Sequence, residues 1–198
     1  MVKVGFICEG ATEQILLQSD AFRQLLATLE IESLPVIDAA GADNLLPHNI
    51  GGYITRLEVE GAQYIVILTD LDEDICITET KNRIKARAQD VVVIAVKKIE
   101  AWFLACSPSM GKLLGVSNFH FKNPEDDKEP FETINQLLVK YIGRGAGKKN
   151  SGKIKLVTRL LENGLDLAEA AAHPNCPSAA YFLKKLKEIG ALAPKGNP

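Results

Sequence analysis

Cysteine is scarce and scattered. Cys8, Cys76, Cys106 and Cys176 lie far apart in 198 residues, with no Cys-x-x-Cys pair among them. That excludes a disulfide-stapled scaffold and a zinc ribbon. The nearest approach to a metal-finger pattern, His173-Pro-Asn-Cys176, has no second half, so buried or idle thiols are expected. No apolar run approaches the ~18 to 20 residues of a membrane span, and the N-terminus lacks the cationic and apolar regions of a signal peptide. A cytoplasmic protein with no membrane partner is the expectation. The chain also shows no zinc finger, no RRM aromatic pair and no serine or cysteine triad.

With 46% hydrophobic and 24% charged residues, the composition is that of an ordinary globular protein, far from that of a disordered chain. Its length suffices to bury a core without staples. The net charge of −2 conceals a division. Residues 1–139 carry 12 basic and 21 acidic groups, whereas residues 140–198 carry 11 basic and 4 acidic ones. A basic C-terminal third beside an acidic remainder suits contact with a polyanion while the acidic part holds a cation; a lysine-rich solvated face is the plainer alternative.

The hydrophobic pattern predicts alternating strands and helices. Lys3 to Cys8, Leu34 to Ala39, Tyr64 to Leu68 and Val91 to Val96 read as strands. Thr12 to Leu29, Asn44 to Glu60 (with Pro47 in its first turn) and Ile75 to Gln89 read as helices. This βαβα order, with near-continuous apolar strands, predicts an α/β fold: a mostly parallel, Rossmann-like sheet flanked by helices on both faces. After Val96 the rhythm changes. Residues 107–130 read as loop-rich and the remainder as helices, Phe131 to Ile142, Gly152 to Asn163, Leu167 to Ala172 and Ser178 to Ile189, with "GRGAGKKNSGK" as a basic loop. The expected organisation is an α/β core over 1–106 and a helical basic extension, 107–198, packed on it.

Ligands of open parallel sheets bind outside the carboxyl ends of the strands. Two such ends are acidic here, Glu9 after the first strand and "TDLDED" after "YIVIL". On an extended strand, residues two apart point the same way, so Asp70 and Asp72 are expected to converge on one cation. Magnesium suits them, because it is held by one or two carboxylates plus water and phosphate oxygens; manganese is its natural substitute. Gly10 is expected to allow a tight turn and Thr12 to cap the next helix, leaving amides free for a phosphate near Glu9. Beside a metal and a phosphodiester, Glu9 is placed to act as general acid or base, or to carry a second metal. Glu13, four residues on, either approaches the site or is an exposed first-turn glutamate. Lys97, Lys98 and Lys153 are candidates to neutralise transition-state charge. Trp102 reads as core.

"EGATE" ending the first strand, "DLD" ending a later one, and the βαβα frame between them resemble the TOPRIM domain of topoisomerases, primases, recombination proteins and OLD-type nucleases. "EGATEQ", "DLDED", "KKIEAWFLA", "GKIKL" and "NCPSAAYFLKKL" are similar to a bacterial family of TOPRIM-like proteins. The resemblance covers roughly residues 1–105 and, more loosely, continues to about residue 190. It implies a metal-dependent phosphoryl-transfer site with Glu9 as catalytic acid/base, Asp70 and Asp72 as magnesium ligands, and Glu100 of the "EAW" element facing the metal. It also implies DNA or RNA as substrate, a separate ATPase as partner, and a bacterial defence or repair setting.

Rival motifs fare worse. An EF-hand starting at Asp70 needs glycine at its sixth place and glutamate at its twelfth, where Ile75 and Lys81 stand. A phosphatase of the haloacid dehalogenase type also sets Asp-x-Asp after an apolar strand, but usually on its first strand. Gly147 to Lys153 matches G-x-x-x-x-G-K, yet Ile154 stands where a P-loop needs Ser or Thr. A non-catalytic module holding metal and nucleic acid stays open as the second functional class.

Overall fold

Five short strands, every pairing parallel, form the centre of the protein in a computed structural model that describes residues 1–193. They are β1 (Val2–Cys8), β2 (Ile31–Ser33), β3 (Ile37–Asp38), β4 (Tyr64–Asp70) and β5 (Val91–Ala95). The order is β2-β1-β4-β5, with β3 pairing β1 further along, at Ile7 and Cys8. Parallel strands need crossovers, and helices supply them. These are α1 (Ala11–Leu17), α2 (Asp20–Thr28), α3 (Pro47–Val59) and α4 (Ile77–Ile84). After β5 come α5 (Glu100–Ala105), α6 (Ser107–Leu114), α7 (Pro130–Ile142), α8 (Lys149–Glu162), α9 (Leu167–Ala172) and α10 (Pro177–Gly190).

Alternation along the strands divides the core in two. Val2, Val4, Phe6 and Cys8 of β1, with Val66, Leu68 and Val93, face a large apolar cluster shared with α1, α2 and α5 to α10. Ile7, Ile65, Ile67, Val92 and Ile94 face a smaller one under α3 and α4. The α/β expectation, a parallel sheet with helices on both faces, therefore describes the molecule. Close approach of α3 depends on Gly5, where a Cβ would lie 2.7 Å from Leu57 Cδ1. Trp102 is fully buried, stacked on Phe182, and its indole N–H donates to Ser178 Oγ at 2.7 Å. Among the described residues no helix is long and apolar enough to cross a membrane.

Several boundaries differ from the sequence pattern, each for a local reason. Thr12 to Leu29 is two helices, because Ser19 caps the second by accepting the Phe22 N–H. The stretch from Leu34 to Ala39 is not one strand: Pro35, with no N–H to donate, separates β2 from β3. The helix expected over 75–89 stops at Ile84, where Lys85 turns left-handed at φ 48°. Residues 107–114, read as loop, are α6, with Pro108 in its first turn and Gly115 as left-handed stop. The supposed basic loop is helical from Lys149 onward. Residues 194–198 of the expected C-terminal extension lie outside the described residues.

Candidate functional site

Glu9 ends its strand on a charge because it is tied to the neighbouring strand. Its N–H donates to Leu68 O at 3.1 Å, extending the ladder by one residue. Its Oε2 accepts Thr69 Oγ1–H at 2.6 Å and the Asp70 N–H at 3.1 Å. Two donors on one oxygen fix the carboxylate at the carboxyl edge of the sheet and leave Oε1 available.

Asp70 closes β4, almost fully buried, with Oδ1 accepting the Ile99 N–H at 2.8 Å. Burial above all, then Glu13, Glu100 and Glu9, pushes its carboxyl well above the usual aspartate range, against the pull of Lys153. Glu13 is buried in the first turn of α1, not exposed, and is pushed up to about 8, by burial first and then by Glu100 and Glu9. Glu100, the first residue of α5, has no exposed surface. Lys153 Nζ approaches its Oε1 at 2.9 Å. That is the distance of a charge-assisted hydrogen bond, whereas Glu100 Oε2 is buried with no hydrogen-bond partner. Burial pulls Lys153 down, but Glu100, Asp70 and Glu13 outweigh it and hold the ammonium above the usual lysine range.

These groups border a hollow of about 400 Å³ whose polar wall includes Glu9, Glu13, Asp38, Asp70, Asn150 and Lys153. Glu100 reaches it through Lys153. Four carboxylates, Glu9, Glu13, Asp70 and Glu100, thus gather beside one half-buried ammonium. Such a cluster is under-compensated, and protons or a cation must make up the difference.

Asp72 is placed elsewhere. Extended geometry ends at Asp70, and Asp72 adopts φ 47° in the following turn, so the two-residue alternation expected to align it with Asp70 does not apply. Its side chain is about half exposed, 3.9 Å from Lys98 Nζ, and it does not line the hollow. Lys98 is drawn instead to Glu129 at 3.2 Å. Neither Lys97 nor Lys98 borders the hollow. Gly10 caps α1 in extended geometry, φ −156°, not in a tight turn that demands glycine. What its missing side chain provides is room, since a Cβ there would lie 3.3 Å from Glu13 Oε2. Thr12 is not the cap either: α1 begins one residue earlier, at Ala11, and Thr12 is buried inside its first turn.

Sequence reading overlooked Asp38 and Asn150. The first was detectable, since β3 also ends on an acid, whose Oδ1 accepts the Ala40 N–H at 2.7 Å. The second lay in the segment read as loop.

Among the described residues no three His, Cys, Asp or Glu side chains are grouped as a ready-made metal cage, so Glu9, Asp70, Asp72 and Glu100 do not form one as they stand. The donor set still suits a hard cation that uses one or two carboxylates. Glu100 has one buried oxygen, Oε2, without a hydrogen-bond donor, and Asp70 and Glu13 are pushed toward protonation by burial and like charge.

No family model matches the sequence, and no curated protein does. Among solved structures the chain is similar to the C-terminal region of the Burkholderia pseudomallei OLD protein, at 16% identity and a TM-score of 0.46, over 93% of this chain and 98% of that one. What the cleft can do follows from its own side chains.

Proposed function

We propose that the protein is a TOPRIM-like, magnesium-dependent phosphoryl-transfer enzyme that processes nucleic-acid phosphodiesters. The observation that carries this reading is the gathering of Glu9, Glu13, Asp70 and Glu100 around Lys153 at the carboxyl edge of a parallel sheet. Magnesium, or manganese in its place, would be held by Asp70 with Glu13 or Glu100, and when bound would polarise a phosphoryl oxygen and neutralise its charge. Asp72 would join only by a rearrangement of the turn after β4. Glu9, anchored through Oε2, keeps Oε1 to exchange a proton with the attacking or leaving oxygen. Lys153 supplies positive charge beside the phosphate. Gly10 and Thr12 shape the wall next to Glu9. Lys148, Lys149 and Lys155, exposed at the start of α8, are suited to the flanking backbone phosphates of DNA or RNA.

The absence of a ready cage favours one second reading, a non-catalytic module that binds nucleic acid beside a separate ATPase. A haloacid dehalogenase-type phosphatase is disfavoured. Its nucleophile would be Asp70, which is buried, bonded to the Ile99 N–H and biased toward protonation.

The test uses purified protein with labelled single- and double-stranded DNA and RNA, in magnesium, manganese or EDTA. Cleavage that needs metal and disappears in Glu9→Gln and Asp70→Asn supports the enzyme. Retardation without cleavage supports the module. Phosphate release from small phosphoesters would revive the phosphatase.

A further inference from the structure

A hollow of about 630 Å³ lies away from the carboxylates, beside β5. Its lining includes Lys81, Lys85, Arg87, Val91, Val92 and Tyr181. A second hollow of about 270 Å³, walled by Ile77, Ile94, Val96 and Pro177, shares Lys81 and Tyr181 with it. Together they follow β5 from end to end. Among the described residues β5 pairs only with β4, and its other edge lies recessed at the floor of these hollows, where Val92 is 8% and Ile94 3% exposed. At its far end the Val96 N–H donates to Ser178 Oγ at 3.3 Å, which closes the edge there.

Natural edge strands are usually blunted by a lysine, a proline or a bulge. β5 reads Val-Val-Val-Ile-Ala and has none of these; its cover is the contact between Lys81 and Tyr181 that crosses the edge. We infer that this groove receives an extended, acidic segment of a partner protein, which adds to β5 as a further strand. Main-chain pairing would hold the segment, and side chains on alternate positions would select it. Five residues of β5 set a docked length of about 17 Å.

Charge complementarity identifies the occupant. Arg87 is already answered by Asp90 and Glu58, and Lys185 by Glu188. Lys81 and Lys85 meet no carboxylate among the described residues. A second copy of the chain would bring its own lysines against these and be repelled. The apolar hollow at Ile77, Ile94 and Val96 fits one aliphatic side chain of the incoming segment.

Lys81 also acts as a strap. α4 lies on one face of the sheet and α10 on the other, so its contact with Tyr181 passes around the β5 edge, with Nζ 3.5 Å from the hydroxyl and 4.9 Å from the ring centroid. Both contacts are weak. An arriving carboxylate is a better partner for Lys81 than a ring face and releases the strap as it docks.

Fluorescence anisotropy with a fluorescein-labelled hexapeptide of alternating glutamate and valine tests this on the full chain. Saturable binding is expected, at least tenfold weaker for Lys81→Glu/Lys85→Glu, whose fold is checked by circular dichroism. The same peptide N-methylated at alternate amides, and a lysine-valine peptide, should not bind. Equal binding of the N-methylated peptide, or no binding of the glutamate peptide, overturns the proposal. So does a single-stranded oligonucleotide that binds through the same lysines when the peptide does not, or self-association that the double substitution abolishes.

Discussion

Lys153 Nζ stands 2.9 Å from Glu100 Oε1, joining α8 to α5 beneath the acidic cleft. The two partners are unequally placed: Glu100 is wholly buried, whereas the Lys153 side chain is 20% exposed. Removing the lysine leaves an uncompensated buried carboxylate; removing the carboxylate leaves an ammonium that still has Asp70 and Glu13 nearby. Lys153→Met should therefore cost about 3 kcal/mol, as expected for breaking a buried pair from one side, and Glu100→Gln clearly less. Urea denaturation without metal measures both. Equal losses would mean that the pair is not the anchor of α8.

Acidity should stabilise this protein across a range where many others are indifferent. Glu13 has its folded value raised to about 8 from the usual 4.5, and Asp70 is raised in the same direction. A carboxyl raised on folding binds more protons in the native state than in the unfolded one, so its stabilising contribution is complete below the unfolded value and is lost as pH climbs. The denaturation midpoint should fall between about pH 4.5 and 8 and level off above. Glu13→Gln should flatten the profile and exceed wild type at pH 8.5. Magnesium competes with those protons, so it should raise the midpoint more at pH 8 than at pH 5. A midpoint that rises over this range would refute the shared-charge description.

Gly152 precedes Lys153 and sets how closely α8 packs. A Cβ there would lie 2.8 Å from Phe131 Cζ and 3.1 Å from the Gly147 carbonyl oxygen. Helix propensity alone would reward Gly152→Ala by ~1 kcal/mol. Overpacking against a fully buried ring typically costs ~1 to 3 kcal/mol, so the clash wins. The variant should melt below wild type, and its displaced Lys153 should lower turnover further than stability explains. A higher melting temperature would show that Phe131 and the turn at Gly147 yield freely.

The parts of this molecule that were readable before any coordinates are those governed by periodicity. β1, β4 and β5 are runs of apolar residues, and the acids at the ends of β1 and β4 mark the working edge of the sheet. Glu9 and Asp70 were legible because each ends such a run. Asp72 was misread because alternation holds only while the backbone stays extended, and the left-handed turn at that residue leaves no trace in composition. For Glu13 the sequence left two readings open, approach to the site or an exposed first-turn glutamate, and the side chain is buried at the site. Its burial depends on α8 packing over α1, a contact between segments more than a hundred residues apart that no local pattern encodes. The helix that delivers Lys153 was expected from Gly152 onward, and it begins three residues earlier, at Lys149.

If nucleic acid lies across the cleft, the cations that touch its backbone are countable. Lys148 caps α8 and Lys155 follows within it, both exposed and without a carboxylate partner among the described residues. Each phosphate contact contributes roughly 0.9 to the slope of log affinity against log salt on duplex DNA. Lys148→Ala/Lys155→Ala should thus flatten that slope by roughly 1.8, at constant fold and with Lys153 retained. Lys3 is the control, because it lies near the start of β1, at the end of the sheet opposite Glu9. Lys3→Ala should leave the slope unchanged. Binding isotherms over a salt series separate the two outcomes, and an equal effect from Lys3 would place the nucleic acid on some other surface.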